Sequence, residues 1–138
     1  MAQYIFGERS GIHVINLERT LTELEKTLEY MKGIAAKGGT VLFVGTKSQA
    51  KKYVRAAAED CEMPFVTERW LGGTLTNFKQ IRDTVVRYLT LKEQQAKGEL
   101  GKYTKLERLM IAREIEEYDV KVGGIATLKK KPDAVFVT

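Results

Sequence analysis

A chain of 138 residues with 43% apolar and 30% charged side chains has the makeup of an ordinary folded protein, sized for one domain. No apolar run approaches the roughly 20 residues needed to span a bilayer, and the N-terminus lacks the apolar core of a signal peptide. The lone Cys61 excludes an internal disulfide and a thiolate metal cluster and fits a reducing cytosol, while a formal charge of +5 points toward an anionic partner.

Tyr4-Ile5-Phe6 and Ile12-His13-Val14-Ile15 are β-prone runs separated by Gly7 and Gly11, which predicts a hairpin or two edge strands. His13, inside the second run, reads as a packed or hydrogen-bonded side chain rather than a ligand. Leu17, Leu21, Leu24, Leu28, Met31 and Ala35 then recur at alternating steps of four and three. That spacing predicts an amphipathic helix over 17–37, capped by Asn16, stopped at Gly38-Gly39 and laid against the core.

Thr40 to Val44 is a continuous apolar run, the mark of a strand covered on both faces in a parallel sheet. Gly45 ends it, and Thr46 to Gln49 has the spacing of a capping box for a helix whose inner face is Ala50, Tyr53, Val54, Ala57 and Cys61. Pro64-Phe65-Val66 starts the next strand, so these residues predict a βαβ unit. A strand end opening a helix is where α/β proteins hold phosphate, which makes Thr46 and Lys47 a candidate anion site. Neither GxxxxGK[ST] nor GxGxxG is present, so a nucleotide-binding protein is the weaker reading.

The stretch Glu68 to Phe78 holds the only tryptophan, a Gly-Gly pair and two threonines. Gly72 and Gly73 free the backbone for left-handed conformations or close approach, and Thr74 or Thr76 is placed to cap a helix starting near Asn77. Arg69 beside Trp70, followed by bare backbone, suits contact with phosphate and base. A buried Trp70 plugging a strand-to-helix corner is the alternative.

Phe78, Ile81, Val85, Tyr88 and Leu89 predict a helix to about Gln94. Lys97 to Gly101 breaks it, and a second helix is expected from about Tyr103 to Lys121, with Leu106, Leu109, Met110, Ile111, Ile115, Tyr118 and Val122 apolar. Two helices joined by a short glycine-containing loop return antiparallel, giving a helical hairpin or coiled coil. Residues 69–113 hold ten of the basic side chains against four acidic ones, whereas 1–68 balance at nine each. The excess charge therefore sits on this hairpin, with Glu114, Glu116, Glu117 and Asp119 near its root. A positive tip on a neutral body is a polyanion-binding feature, and a solvated lysine-rich helix is its plain counterpart. Gly123-Gly124 closes the second helix, Lys129 to Asp133 is a basic turn, and Ala134 to Val137 reads as a final buried strand.

The chain is thus expected to be α/β: a Rossmann-like or flavodoxin-like parallel sheet with flanking helices over 1–76 and 123–138, and an inserted helical hairpin over 77–122. The sheet is expected to be incomplete at its C-terminal edge. The segments YIFGERSGIHVINLERT (4–20), VLFVGTKSQA (41–50), ERWLGGTLTNFK (68–79), GGI (123–125) and PDAVFV (132–137) resemble, in order, the bacterial small-subunit ribosomal protein S-two family. Lys131 stands where that family tends to have an apolar residue, and the family's N-terminal lead and C-terminal elements are not matched.

The resemblance implies a structural role on the ribosome, in the cytoplasm, with small-subunit ribosomal RNA and neighbouring ribosomal proteins as partners. It implies no catalysis, cofactor or metal, and no membrane. It points to Arg69, Trp70, Gly72, Gly73, Thr74 and Asn77 as RNA contacts, joined by the hairpin's Lys79, Arg82, Arg87, Lys92, Lys102, Lys105 and Arg108. A hairpin that docks a partner protein is the other reading of the same residues.

Overall fold

A computed structural model describes residues 1–138, which form two compact units, Met1–Gly39 and Thr40–Thr138. No helix is long and apolar enough to cross a membrane.

In the first unit the expected hairpin is present: β1 (Ile5–Arg9) pairs antiparallel with β2 (Ile12–Ile15), with a register shift between Ile5 and Gly7. Its two-residue turn, Ser10-Gly11, has φ of 54° and 77°. Positive φ at both centres defines the primed turn whose twist suits adjacent strands. His13 is exposed rather than packed, facing its cross-strand partner Glu8 at 3.9 Å. Helix α1 (Leu17–Ala36) starts where Asn16 accepts a hydrogen bond from the Arg19 amide at 3.2 Å, as its capping role predicts. No residue of α1 is buried, so the leucine stripe does not serve as a core-facing surface within this unit. Periodicity reports that a helix has an apolar face. What covers that face is a tertiary matter.

The second unit is built on a parallel three-stranded sheet. Strand β3 (Val41–Val44) lies between β4 (Phe65–Val66) and β5 (Ala134–Val137). Val41, Leu42 and Val44 are buried, as the unbroken apolar run requires. Helix α2 (Ser48–Asp60) makes the crossover from β3 to β4 and buries Val54 and Ala58, whereas Tyr53, Ala57 and Cys61, expected on its inner face, are exposed because the buried face runs through Val54 and Ala58 at a spacing of four. Gly45 permits that close packing, since a Cβ there would stand 2.6 Å from Val54 Cγ2. The return from β4 to β5 carries α3 (Phe78–Ala96) and α4 (Lys105–Val122), joined through a 3-10 turn at Glu99–Lys102.

One core joins sheet and hairpin. Leu42, Val44 and Val66 pack with Ile81, Val85 and Tyr88 of α3, Ile115 and Val122 of α4, and Ile125 and Leu128 beyond. The root half of the hairpin is therefore a structural layer on the sheet. Two further apolar readings need correction. Leu106, Leu109 and Met110 point outward, and only Ile111, Ile115, Tyr118 and Val122 of α4 are fully or partly buried in the core, because these four recur on one helical face and the other three on the opposite one. Strand β5 is partly buried on one face and exposed on the other: Val137 keeps 69% of its surface, although its register partner Val44 is buried. The two starting ends of β3 and β5 are tied by Asp133, whose carboxylate accepts from the Thr40 amide at 2.8 Å.

Candidate nucleic-acid interface

The end of β4 leads directly into the tryptophan stretch. Glu68 pairs with Lys51 of α2 at 2.5 Å, fixing the point where the chain leaves the sheet. Arg69 follows, exposed and without an ion pair, and Trp70 keeps 36% of its surface. That is too much for a plug at a corner and enough for one edge of the ring to meet a ligand. Residues 71–77 form successive turns. Gly73 adopts φ of +86°, the left-handed region that favours glycine, whereas Gly72 lies in open space. The Gly73 carbonyl accepts from the Asn77 amide at 2.7 Å.

Thr74 takes a different part from the one expected of it. It is 2% exposed, and its hydroxyl donates to the Leu71 carbonyl at 2.6 Å. A short hydroxyl side chain competes for nearby backbone groups, and here it closes its own turn instead of capping α3. The N-cap of α3 is Asn77, exposed and making no side-chain cap bond.

The basic side chains of the hairpin fall into two groups. Toward the root, Arg82 is half-buried and reaches the Leu128 carbonyl at 3.4 Å, and Arg87 pairs with Glu114 at 2.7 Å. Lys92 donates to the Tyr88 hydroxyl at 2.7 Å and pairs with Asp119 at 3.2 Å, while the Tyr88 hydroxyl donates to the same Asp119 oxygen. This network holds the Asp119 carboxyl below the usual carboxylate range, chiefly through the Tyr88 hydroxyl and then Lys92. Burial pushes the Tyr88 phenol up, and hydrogen bonds to Tyr88 and Asp119 raise the Lys92 ammonium.

Toward the tip, Lys102, Lys105 and Arg108 are exposed and make no ion pair, as does Arg113 one turn further along α4. Lys79 is open in the same way at the start of α3, and Lys97 is neutralised by Glu93 at 2.6 Å. Arg113 was visible in the sequence as part of the basic third, but only its lack of a partner marks it out. The tip is held in shape by a full capping box at Thr104 and Glu107: the Thr104 hydroxyl accepts from the Glu107 amide at 3.3 Å, and Glu107 accepts from the Thr104 amide at 2.8 Å. The Thr104 amide most, and then the Thr104 hydroxyl, which donates to the same carboxylate oxygen at 2.9 Å, lower the Glu107 pKa.

At α2 the expected box does not form. The N-cap is Lys47, so Gln49 falls at the second helical position, one short of where it could reach back, and the Ser48 hydroxyl bonds to the Gln49 side chain at 3.0 Å. Thr46 and Lys47 are exposed at the carboxyl end of β3. A cleft of about 690 Å³ lies between the end of α2, β4 and the hairpin root. Its cations Arg55, Lys92 and Lys121 are matched in number by Glu59, Glu68 and Asp119, with Arg55 paired to Glu59 and Lys92 to Asp119, which leaves it balanced in charge where the tip is not.

These features define a small parallel α/β protein that carries a helical hairpin basic at its free end. The whole chain, residues 1–138, matches the family model described as Ribosomal protein S2, and the chain belongs to that family. Membership brings a structural role in the small ribosomal subunit.

Proposed function

We propose that the chain binds small-subunit ribosomal RNA through the open end of the hairpin and the turn at its root. The observation that carries this reading is the division of the basic residues. Arg87 and Lys92 are consumed by Glu114 and Asp119, while Arg69, Lys79, Lys102, Lys105, Arg108 and Arg113 are exposed and unpaired. A cation already neutralised releases few counterions on meeting a phosphate. An open one releases nearly its full share. Trp70 offers a partly exposed ring for stacking, Gly72 and Asn77 offer accessible backbone and amide, and Gly73 and Thr74 shape the turn that presents them. With no element suited to reading base edges in a groove, recognition is of RNA shape. The Rossmann-like winding of the sheet, a coiled-coil hairpin spanning 77–122 and contacts with neighbouring ribosomal proteins belong to the same reading.

Six such contacts give a log–log salt slope of roughly −4 to −5, from about 0.7–0.9 per phosphate. Titrating the chain with small-subunit RNA across a range of salt concentrations tests this, and a flat salt dependence would refute it. A second reading is favoured by one observation, the outward Leu106, Leu109 and Met110 on α4, which suit docking of a partner protein. Substituting Lys105 and Arg108 by glutamate separates the two: RNA binding should collapse, and apolar docking should survive.

A further inference from the structure

The hairpin can present its tip to RNA only if its angle to the sheet is set, and the turns by which the chain enters and leaves the hairpin differ in how closely they pack. The entry turn is loosely packed: a Cβ added at Gly72 meets nothing within 4 Å, and one at Gly73 meets only Asn77. The exit is different. At Gly124 an added Cβ would overlap the Phe65 backbone carbonyl of β4 and stand 2.8 Å from its ring. Backbone has nowhere to yield there, so the chain leaving α4 lies directly on the sheet edge with room for hydrogen alone. One turn back along α4, Asp119 binds the Tyr88 hydroxyl and Lys92 of α3, and Gly123 lies against the same carboxylate, its Cβ position 3.5 Å from Oδ1. Tyr88 is itself in the core with Leu42 and Val85.

We propose that Gly124, seated on Phe65, and the Tyr88–Asp119–Lys92 set are the positioning residues of the hairpin, fixing the direction in which its RNA-binding tip projects. The inference rests on the RNA-binding reading for its purpose but not for its geometry. Helix α4 has 18 residues, so at 1.5 Å per residue its far end lies about 27 Å from the pivot, and a tilt of about 10° carries the tip about 5 Å. That displacement is enough to take tip cations out of contact range of phosphates that the root still reaches.

The test uses the full chain with spin labels on the native, exposed Cys61 after α2 and on Gln95→Cys in the last turn of α3. In Gly124→Ala the inter-label distance should shift by a few ångströms, up to about 5 Å by the lever arm above. In Tyr88→Phe and Asp119→Asn its distribution should broaden, at unchanged helical circular dichroism. Gly72→Ala should leave the distance where it is. RNA titrations of unlabelled Gly124→Ala should then show a salt slope shallower by about 2, although no cation has been removed. A partly unfolded population would lower the competent fraction and leave the slope alone. If Gly124→Ala does not fold, the two milder variants decide. Unchanged distances in all three, or an equal shift in Gly72→Ala, would overturn the inference. A wild-type chain with no salt dependence would instead overturn RNA binding, and the label distances would still be read on their own.

Discussion

Neutralising Lys102, Lys105 and Arg108 together, each to glutamine, removes three exposed, unpaired cations from one end of the hairpin. None of the three contributes a side chain to the core, and Thr104 and Glu107 keep the capping box between them. The fold should therefore survive, with an unchanged circular dichroism spectrum. Each phosphate contact contributes about 0.7–0.9 to the slope of log affinity against log salt, so losing three should flatten that slope by about 2–3 and weaken binding at 0.1 M salt about 100- to 500-fold. Arg87→Gln is the matched comparison. It removes the same kind of charge from the same hairpin, but one already paired with Glu114 at 2.7 Å. Its slope should stay close to that of the unaltered chain. Filter-binding or fluorescence titration against small-subunit RNA between about 0.05 and 0.3 M salt covers the range in which such slopes are linear. Equal losses from Arg87→Gln and from the tip substitutions would refute the reasoning, because the pairing seen in the structure would then have no bearing on which cations meet RNA.

Other consequences are local. Thr104→Ala breaks the capping box and should cost about 1 kcal/mol in chemical denaturation, a loss that Thr104→Ser should largely restore. Gly73→Ala places a side chain at φ of +86° and should cost about 1–2 kcal/mol, with Gly72→Ala close to neutral; equal costs would remove the distinction between the two glycines. For pH, the Asp119 carboxyl is lowered from 3.8 in the folded chain by the Tyr88 hydroxyl and Lys92. A carboxyl more acidic when folded than unfolded adds stability that is fully present above its unfolded pKa and lost as pH falls through the folded one. Stability should thus decline below about pH 4, and Asp119→Asn should make that decline shallower in denaturation midpoints taken from pH 5 to 2. Asp133, lowered by the Thr40 amide, and Glu107, lowered by Thr104, leave a residual acid slope in that variant.

The elements that could be read from the sequence are those in which local rules act alone. Asn16 caps α1 because an amide oxygen three residues before an orphan N–H has one good place to go, and the unbroken run at 41–44 is buried, Phe43 in part and the other three fully, because only a covered strand tolerates it. The failures lie where two local solutions compete or where tertiary structure decides. The spacing Thr46 to Gln49 satisfies a capping-box pattern, yet the helix begins one residue later and the pattern goes unused. Thr104 to Glu107 has the same pattern, and there it forms. Pattern alone does not distinguish them, since the position of the first helical residue is set by the chain before it.

The site divides in the same way. Composition locates the excess charge in residues 69–113, but it weighs Arg87 and Arg108 equally. They differ only because the antiparallel return of α4 brings Glu114 to one and no carboxylate to the other. That difference depends on the register between two helices, which no window of sequence contains. The same register brings Asp119 to Tyr88 and Lys92, and it is why a tyrosine that reads as one more apolar position of α3 is also the hydroxyl that joins the two arms. It follows that the root cations and the tip cations should respond oppositely to stress. Substitution at Lys92 should loosen the hairpin before it weakens any contact with RNA, and substitution at Arg108 should weaken RNA contact in a hairpin that stays where it was.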